Sequence, residues 1–516
     1  MTFDDLKKTN AKTETTLTEN SAVMYATTGK ELVDMNFKVA SYRNMSEASI
    51  ASDFSKAYYE NPIDAVRWLF FVRDIRGNGL GERRLFRVCM RWLVQFNPKF
   101  VINIVPHIAE FGRYDDIFSM LGHDKDVDDA IFTLIKTQIK EDVKNMEQNK
   151  SISLMAKWLP SINTSSFKTR ELARYIVNGM HSSEKSYRKV LSSLRRYLDV
   201  VEVKISANEW EDVDYNTVPS QANLKYAYAF LKHDTERRYE YIQNLKSGSN
   251  RAKINANVLF PYEVVTAYMA NCEWDYNHYG HYGYYIKNKD DVLEEIWKNL
   301  PSMNINKNIL VVADGSGSMC SGVSGHTTAL DVANSLAIYI SEHNTGEFKN
   351  KYITFSDKPQ FVDFTNAKSL FEKINIALEH DEIANTNIEK VFNLILNTAI
   401  DNNYTQDDMP ENIVIISDME FDMAIDKKVD TTLFDGLKES YNEAGYKMPK
   451  LVFWNVNSRT NGIPVQENEL GVALVSGFST TILNMVLSDR LDPAEILHEA
   501  IYNERYHIVE AIYGMD

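Results

Sequence analysis

Three side chains in the stretch NILVVADGSGSMCSGVSG could do chemistry together: Asp314, Ser316 and Ser318. An apolar run, Ile309–Ala313, delivers the acid, and Gly315 and Gly317 let the chain bend directly after it. A phosphate-binding P-loop needs GxxxxGK[ST], and no such lysine follows. A dinucleotide fingerprint needs a third glycine where Cys320 stands. A nucleophile elbow needs GxSxG, and neither serine has glycines at that spacing. What remains is D-x-S-x-S, which turns one carboxylate and two hydroxyls towards one point. These are hard oxygen donors of low total charge, and they suit magnesium, which keeps several of its waters. The same residues also make an ordinary Asp-Gly-Ser-Gly turn.

The elements around the motif set its position. After Lys307 short apolar runs alternate with amphipathic stretches: NILVVAD, KYITFSD, PQFVDF, NIVIISD, KLVFWNVN and GVALVSGF are spaced by helical patterns. That alternation implies a mainly parallel sheet covered on both faces. Ligands of such sheets bind outside the carboxyl ends of the strands. Asp314 and Asp418 each follow an apolar strand directly, so both belong on that edge. Glu420 and Asp422 lie near the same edge and read as a solvated loop, and His326 reads as a loop residue.

The first half has a different period. From about Ser52, apolar residues recur three and four apart, broken by short loops, with Asn61-Pro62 and Asn97-Pro98 as helix starts. Helix pairs of this length imply a stack of repeats, although no clean sequence period appears. The segment 271–291 is aromatic, polar and glycine-rich, and reads as an exposed loop or insertion. Two basic clusters stand out. Arg73, Arg76, Arg83 and Arg84 surround the glycine turn of RDIRGNGLGERR. Lys185, Arg188, Lys189, Arg195 and Arg196 follow at helical spacing, and Arg188, Arg195 and Arg196 can share one broad face. Guanidinium groups and turn amides can hold phosphate. Ion pairing is the competing reading: Asp74 and Glu82 sit beside the first cluster, and Glu184 and Asp199 flank the second. WLPS and VPSQAN read as helix starts and packing rather than site residues.

Charge divides the chain in the same place. The net charge is -16, but residues 51–253 carry 32 basic and 26 acidic side chains, against 15 and 32 in residues 301–516. The acidic half repels nucleic acid; the first half need not. Three scattered cysteines without a pairing spacing imply a reducing compartment, and the polar, acidic start is not a signal peptide. No apolar run spans a bilayer, so a soluble, cytoplasmic monomer is the expectation.

Two resemblances add to this reading. D-x-S-x-S resembles the metal-ion-dependent adhesion site of von Willebrand factor A domains. That resemblance implies two further ligands, Thr386 in ANTNIEKVF and Asp418 in IVIISDMEFD, so the metal set becomes Asp314, Ser316, Ser318, Thr386 and Asp418, holding Mg2+ or Mn2+. A vestigial, empty site is the alternative. In that family the metal keeps a position open for an acidic group of a partner. The helical half, in WLFFVRDIRGNGLGERRLF, IAEFGRYDDIFSML, MAKWLPSINTSS and LFPYEVV, resembles a TROVE-like family of unknown function related to Ro ribonucleoproteins, over roughly residues 15–500. The implied fold class is α plus α/β: a HEAT-like helical repeat ring or superhelix over 1–300, then a von Willebrand A-type, Rossmann-like doubly wound parallel sheet over 301–516. The implied function is a Ro-like scaffold or chaperone for noncoding or defective RNA, single-stranded or structured. The alternative is a protein-docking adaptor that captures an acidic residue at the metal without RNA. A metal-dependent hydrolase using Asp418 as base is a third reading, and it lacks an evident nucleophile and general acid. The extended N-terminus reads as a partly helical clasp.

Overall fold

The computed structural model describes residues 15–17, 23–25, 28–77, 79–256, 258–276, 282–302, 305, 307–380, 387–419, 431–457, 472–477, 482 and 493–514. The fold class is the expected one, α-helical in one unit and α/β in the other. One compact unit takes Met1–Ser46 and Leu245–Ala500; the other takes Glu47–Asn244 and Ile501–Asp516.

The strands in chain order are β1 (Thr15–Leu17), β2 (Val23–Tyr25), β3 (Cys272–Tyr276), β4 (Tyr282–Ile286), β5 (Ile309–Asp314), β6 (Gly322–Ser324), β7 (Thr327–Thr328), β8 (Lys351–Phe355), β9 (Phe361–Asp363), β10 (Asn412–Ser417), β11 (Lys450–Asn455) and β12 (Val472–Ser476). Six of them form one sheet in the order β12-β11-β10-β5-β8-β9. All neighbours run parallel except the edge pair β8 and β9. The order reverses between β5 and β10, which makes their carboxyl ends the topological switch point. β5 and β10 are buried along their whole length, as strands covered on both faces must be. Alternation along them sends Leu310, Val312, Ile413 and Ile415 to one face. There they meet Val391, Phe392 and Ile395 of helix Ile388–Asp401, and Leu437 and Tyr441 of helix Thr431–Glu443. Helix Ala329–His343 packs on β5 and β8. Each such apolar side chain, fully buried, contributes about 1.5–3 kcal/mol.

The compact units do not follow a cut at residue 300. Residues before it pack on the sheet unit for identifiable reasons. Helix Pro261–Met269 lies against helix Ala329–His343. The buried Glu294 accepts the Tyr268 hydroxyl (2.7 Å) and the amides of Leu370 (3.0 Å) and Phe371 (2.9 Å), capping helix Leu370–Glu379. Residues 271–291 are not a plain loop: β3 and β4 pair as an antiparallel hairpin, and Ile286 exchanges two hydrogen bonds with the Asn375 amide. The N-terminal clasp reaches the same unit. Helix Glu31–Phe37 ends where Asn455 donates to the Phe37 carbonyl (2.9 Å), and the Ala40 amide donates to Ser476 Oγ (3.1 Å).

In the helical unit, helices Glu47–Glu60, Pro62–Arg73 and Arg83–Phe96 pack together, and Pro98–Ile104 joins them to the long helix Lys125–Glu147. Asn61 and Asn97 cap their helices through the Asp64 and Phe100 amides, with proline in the first turn, as their sequence implies. The end of the chain returns here: helix His507–Tyr513 packs on Pro62–Arg73 and Pro98–Ile104, and Tyr513 and Tyr58 share a hydroxyl hydrogen bond of 2.9 Å. No helix among the described residues is long and apolar enough to cross a membrane.

Candidate functional site

At the switch point β5 ends on Asp314 and β10 on Ser417, because Ala313 pairs with Ile416. Asp314 is 2% exposed and the following Asp418 is 0% exposed. Ser417 Oγ donates to Asp314 Oδ2 (2.5 Å), and the Ser316 amide donates to Asp314 Oδ1 (2.9 Å). The second bond turns the chain back, and a 3-10 turn over Gly317–Cys320 carries Ser318 beside Ser316, with their hydroxyls 3.0 Å apart. Met319 is buried under that turn. After β10 the backbone bends sharply: Ser417 Oγ also accepts the Met419 amide (3.0 Å), and Met419 has φ +62°. Four of the five expected metal residues therefore meet at one strand edge. Thr386, with Glu420 and Asp422, lies outside the described residues. Asn387 caps the helix that follows Thr386.

This donor set fits a hard cation. Two carboxylates sit at adjacent strand ends in a buried setting, where uncompensated negative charge is costly. Two half-buried hydroxyls complete an all-oxygen group. Among the described residues no three His, Cys, Asp or Glu side chains converge, so the group relies on hydroxyls for its remaining protein oxygens.

The first basic cluster is built differently from its sequence reading. Arg73 is buried and binds the fully buried Asp116 through Nε and a terminal nitrogen, both at 2.8 Å. Arg87 binds the same carboxylate at 2.7 Å. The glycine turn does not offer its amides outward: those of Arg76 and Gly77 donate to Asp74 Oδ1, each at 2.9 Å. Arg505 and Tyr506, from the far end of the chain, close on the same carboxylate. A Cβ on Gly77 or Gly79 would collide with Asp74, so the turn is shaped around that acid. Arg76 and Arg83 are exposed and Arg84 is half-buried.

The second cluster divides. Helix Glu184–Tyr197 buries Tyr187, Leu191 and Leu194. At 100° per residue Lys185, Lys189 and Arg196 point the opposite way and Arg188 lies on the flank. All four are exposed, and none makes an ion pair or side-chain hydrogen bond among the described residues. The flanking acids are engaged elsewhere, Glu184 with Arg174 and Asp199 with Lys204. Arg195 turns inward instead of sharing that face. Its guanidinium donates to the carbonyls of Ala156 (2.8 Å) and Leu159 (2.6 Å) and to Ser161 Oγ (2.7 Å). WLPS is no helix start, since helix Met155–Trp158 ends there, but it does pack, with Leu159 and Pro160 buried beside a cleft.

A family model described as Domain of unknown function (DUF2828) matches residues 18–121 and 127–303, more than half of the chain. The chain belongs to that family. A second model, Domain of unknown function (DUF7788), matches residues 308–507, the span that holds the sheet. Uncharacterized protein L728 of Acanthamoeba polyphaga mimivirus is 27% identical over 519 residues, covering 93% of this chain and 86% of its own length. Among solved structures, the crystal structure of Deinococcus radiodurans RO (RSR) protein is similar at 14% identity and a TM-score of 0.39, covering 84% of this chain and 92% of that one.

Proposed function

We propose that this family member is a non-catalytic RNA-binding scaffold of the Ro type, whose helical unit holds phosphate on helix Glu184–Tyr197. The observation that carries this reading is the set of four exposed cations, Lys185, Arg188, Lys189 and Arg196, with no carboxylate partner among the described residues. Cations in ion pairs would have to give up a partner to bind phosphate; these four do not. The resemblance of the helical half to Ro-related proteins points the same way. The RNA is single-stranded or carries a single-stranded tail, and the protein acts in the cytoplasm as a monomer.

The test is RNA binding by the whole chain across a salt series, with all four cations changed to glutamate. Each phosphate contact on a single strand contributes about -0.7 to the log-log salt slope. The variant is expected to lose most of its affinity and to flatten the slope by about 2–3. Unchanged affinity and slope would overturn the reading.

A second reading concerns the sheet edge and is compatible with the first. Asp314, Ser316, Ser318 and Asp418, with Thr386 added by the resemblance to adhesion sites, hold Mg2+ or Mn2+ for docking an acidic side chain of a protein partner. The buried pair Asp314 and Asp418 favours it, because a divalent ion would offset both charges. When bound, the ion supplies a Lewis-acidic position for a carboxylate. The chain's own residues fix the oxygens: Ser417 orients Asp314, and the Ser316 amide bends the loop that brings up Ser318.

A further inference from the structure

The helical unit contains a cleft of 710 Å³ that neither reading uses. Its floor is the segment Trp158–Ser161, and one wall is helix Val201–Ala207. Arg195 makes that floor rigid by donating to the Ala156 and Leu159 carbonyls and to Ser161 Oγ. The buried Leu159 and Pro160, with the exposed Val203, supply apolar wall. The size is within the range of small-molecule sites, which combine apolar walls with a few convergent polar groups.

Positive charge outweighs negative in this lining, and donors outnumber the acceptors that use them. Its charged residues are Lys157, Arg195 and Glu202. Lys157 Nζ makes no hydrogen bond among the described residues, and its carboxylate partner, Glu202, stands off at 3.9 Å. Glu202 therefore offsets part of that charge without taking an N–H, and its Oε2 is buried. Arg195 has no carboxylate partner among the described residues; two carbonyls and a hydroxyl are all that face its charge. A guanidinium has N–H donors to spare beyond those bonds. Ser161 Oγ accepts from Arg195 and Thr164 Oγ1 from the Ser166 amide, and neither hydroxyl donates to a described residue. Half-buried cations are ordinarily paired with acids, so two of them sharing one distant carboxylate is a charge pattern that takes an anion.

The number of donors selects among anions. A carboxylate offers one charge and two oxygens. A phosphate monoester brings a charge of about -1.5 to -2 at neutral pH and a further acceptor oxygen. It suits two cations and two hydroxyls together, and its organic group has the apolar wall to lie against, which a bare phosphate ion would leave wet.

We propose that this cleft binds a small phosphate monoester with an apolar organic group. Lys157, Arg195, Ser161 and Thr164 hold the phosphate oxygens, and Leu159 and Val203 face the organic group. The site uses none of the four exposed cations on helix Glu184–Tyr197.

The experiment is isothermal titration of the full chain with phenyl phosphate, benzoate and inorganic phosphate, and with a short RNA carrying or lacking a 5′-phosphate. Two variants accompany it. Lys157→Met removes the ammonium group and keeps the stem. Val203→Trp fills the cleft from an exposed position and keeps both cations. Neither residue braces the floor, so circular dichroism and melting temperature should stay those of the parent. Loss of a hydrogen bond to a charged group costs about tenfold to a hundredfold. Phenyl phosphate is expected to bind at least about tenfold more tightly than benzoate, and more tightly than inorganic phosphate. Its affinity should fall below about pH 6, where the phosphate loses its second charge. Lys157→Met should weaken it by about tenfold or more, and Val203→Trp should bring it down to the level of inorganic phosphate. No binding of phenyl phosphate at millimolar concentration, benzoate binding as tightly, or an affinity unchanged in both variants overturns the proposal. Binding of the 5′-phosphorylated RNA alone would assign the phosphate to a strand end and overturn the small-molecule source. Charge reversal of the four exposed cations should weaken RNA and leave phenyl phosphate bound, so this proposal and the RNA reading fail separately.

Discussion

Two glycine turns, RDIRGNGLGE in the helical unit and ADGSGSM in the sheet unit, look alike in sequence and are opposite in electrostatics. In the first, a fully buried acid, Asp74, is encircled by donors of the chain itself: two turn amides, Arg505 and Tyr506. In the second, Asp314 takes a hydroxyl and an amide, and a second buried acid, Asp418, follows the neighbouring strand. The helical turn brings its own cation from 431 residues away in sequence. The sheet turn places two buried carboxylates and two hydroxyls at neighbouring strand ends, the oxygen set that the proposed cation would use. Glycine serves closeness in the first case, where no Cβ fits beside Asp74. In the second it serves a tight bend that returns Ser316 and Ser318 towards the acid.

Removing one acid from each turn breaks the comparison most directly. Asp74→Ala strands a buried phenol, two amides and a partly exposed guanidinium, so the helical unit should lose about 3 kcal/mol, read from its denaturant transition. Asp314→Asn in chelator keeps an acceptor and removes a buried like charge, so its cost should stay within about 1 kcal/mol or turn favourable. Equal costs at the two sites would mean that the turns are not opposites. The next effect in size is metal linkage. At a hundred times its dissociation constant a bound ion adds about 2.7 kcal/mol. Magnesium or manganese should therefore raise the melting temperature of the sheet unit, calcium less so, and Asp314→Ala or Asp418→Ala should abolish the rise. A rise that persists in both variants would place the ion elsewhere.

Much of the sheet unit was legible because its signals are local. Apolar runs ending on Asp314 and Asp418 specify strands and their carboxyl ends, and the register then brings the two together without any long-range guess. The helical unit was legible as helices, with Asn61 and Asn97 caps in place, but not as chemistry. Arg73 and Arg195 look like surface cations in sequence, yet one pairs with Asp116 and the other braces two carbonyls. Those partners lie 43 and 36–39 residues away, and nothing in helical spacing announces them. The unit boundary was hidden for the same reason. Glu294 capping a helix at Leu370, and Arg505 returning to Asp74, are single side-chain contacts without a local pattern. The cleft escaped because WLPS reads as a helix start and packing, and only the fold sets Glu202 near Lys157.

The smallest effect sharpens the comparison inside the helical unit, where acid and base are matched rather than opposed. Burial alone would raise the Asp115 carboxyl, but Arg87 and Arg113 together hold it below the usual carboxylate range. A lowered folded pKa means that the native state binds the proton more weakly than the unfolded chain does. The pair therefore stabilises the fold above the unfolded pKa and loses that contribution as pH falls through the folded one. Because Asp115 remains partly exposed, the contribution should be at most about 1 kcal/mol. Between neutral pH and the acid limb, Asp115→Asn should unfold with a shallower pH dependence than the parent, converging with it once both carboxyl states are protonated. Were the two pH profiles parallel, Asp115 would be contributing no differential protonation. The arginines would then owe their positions to Asp116, which Arg73 and Arg87 already share.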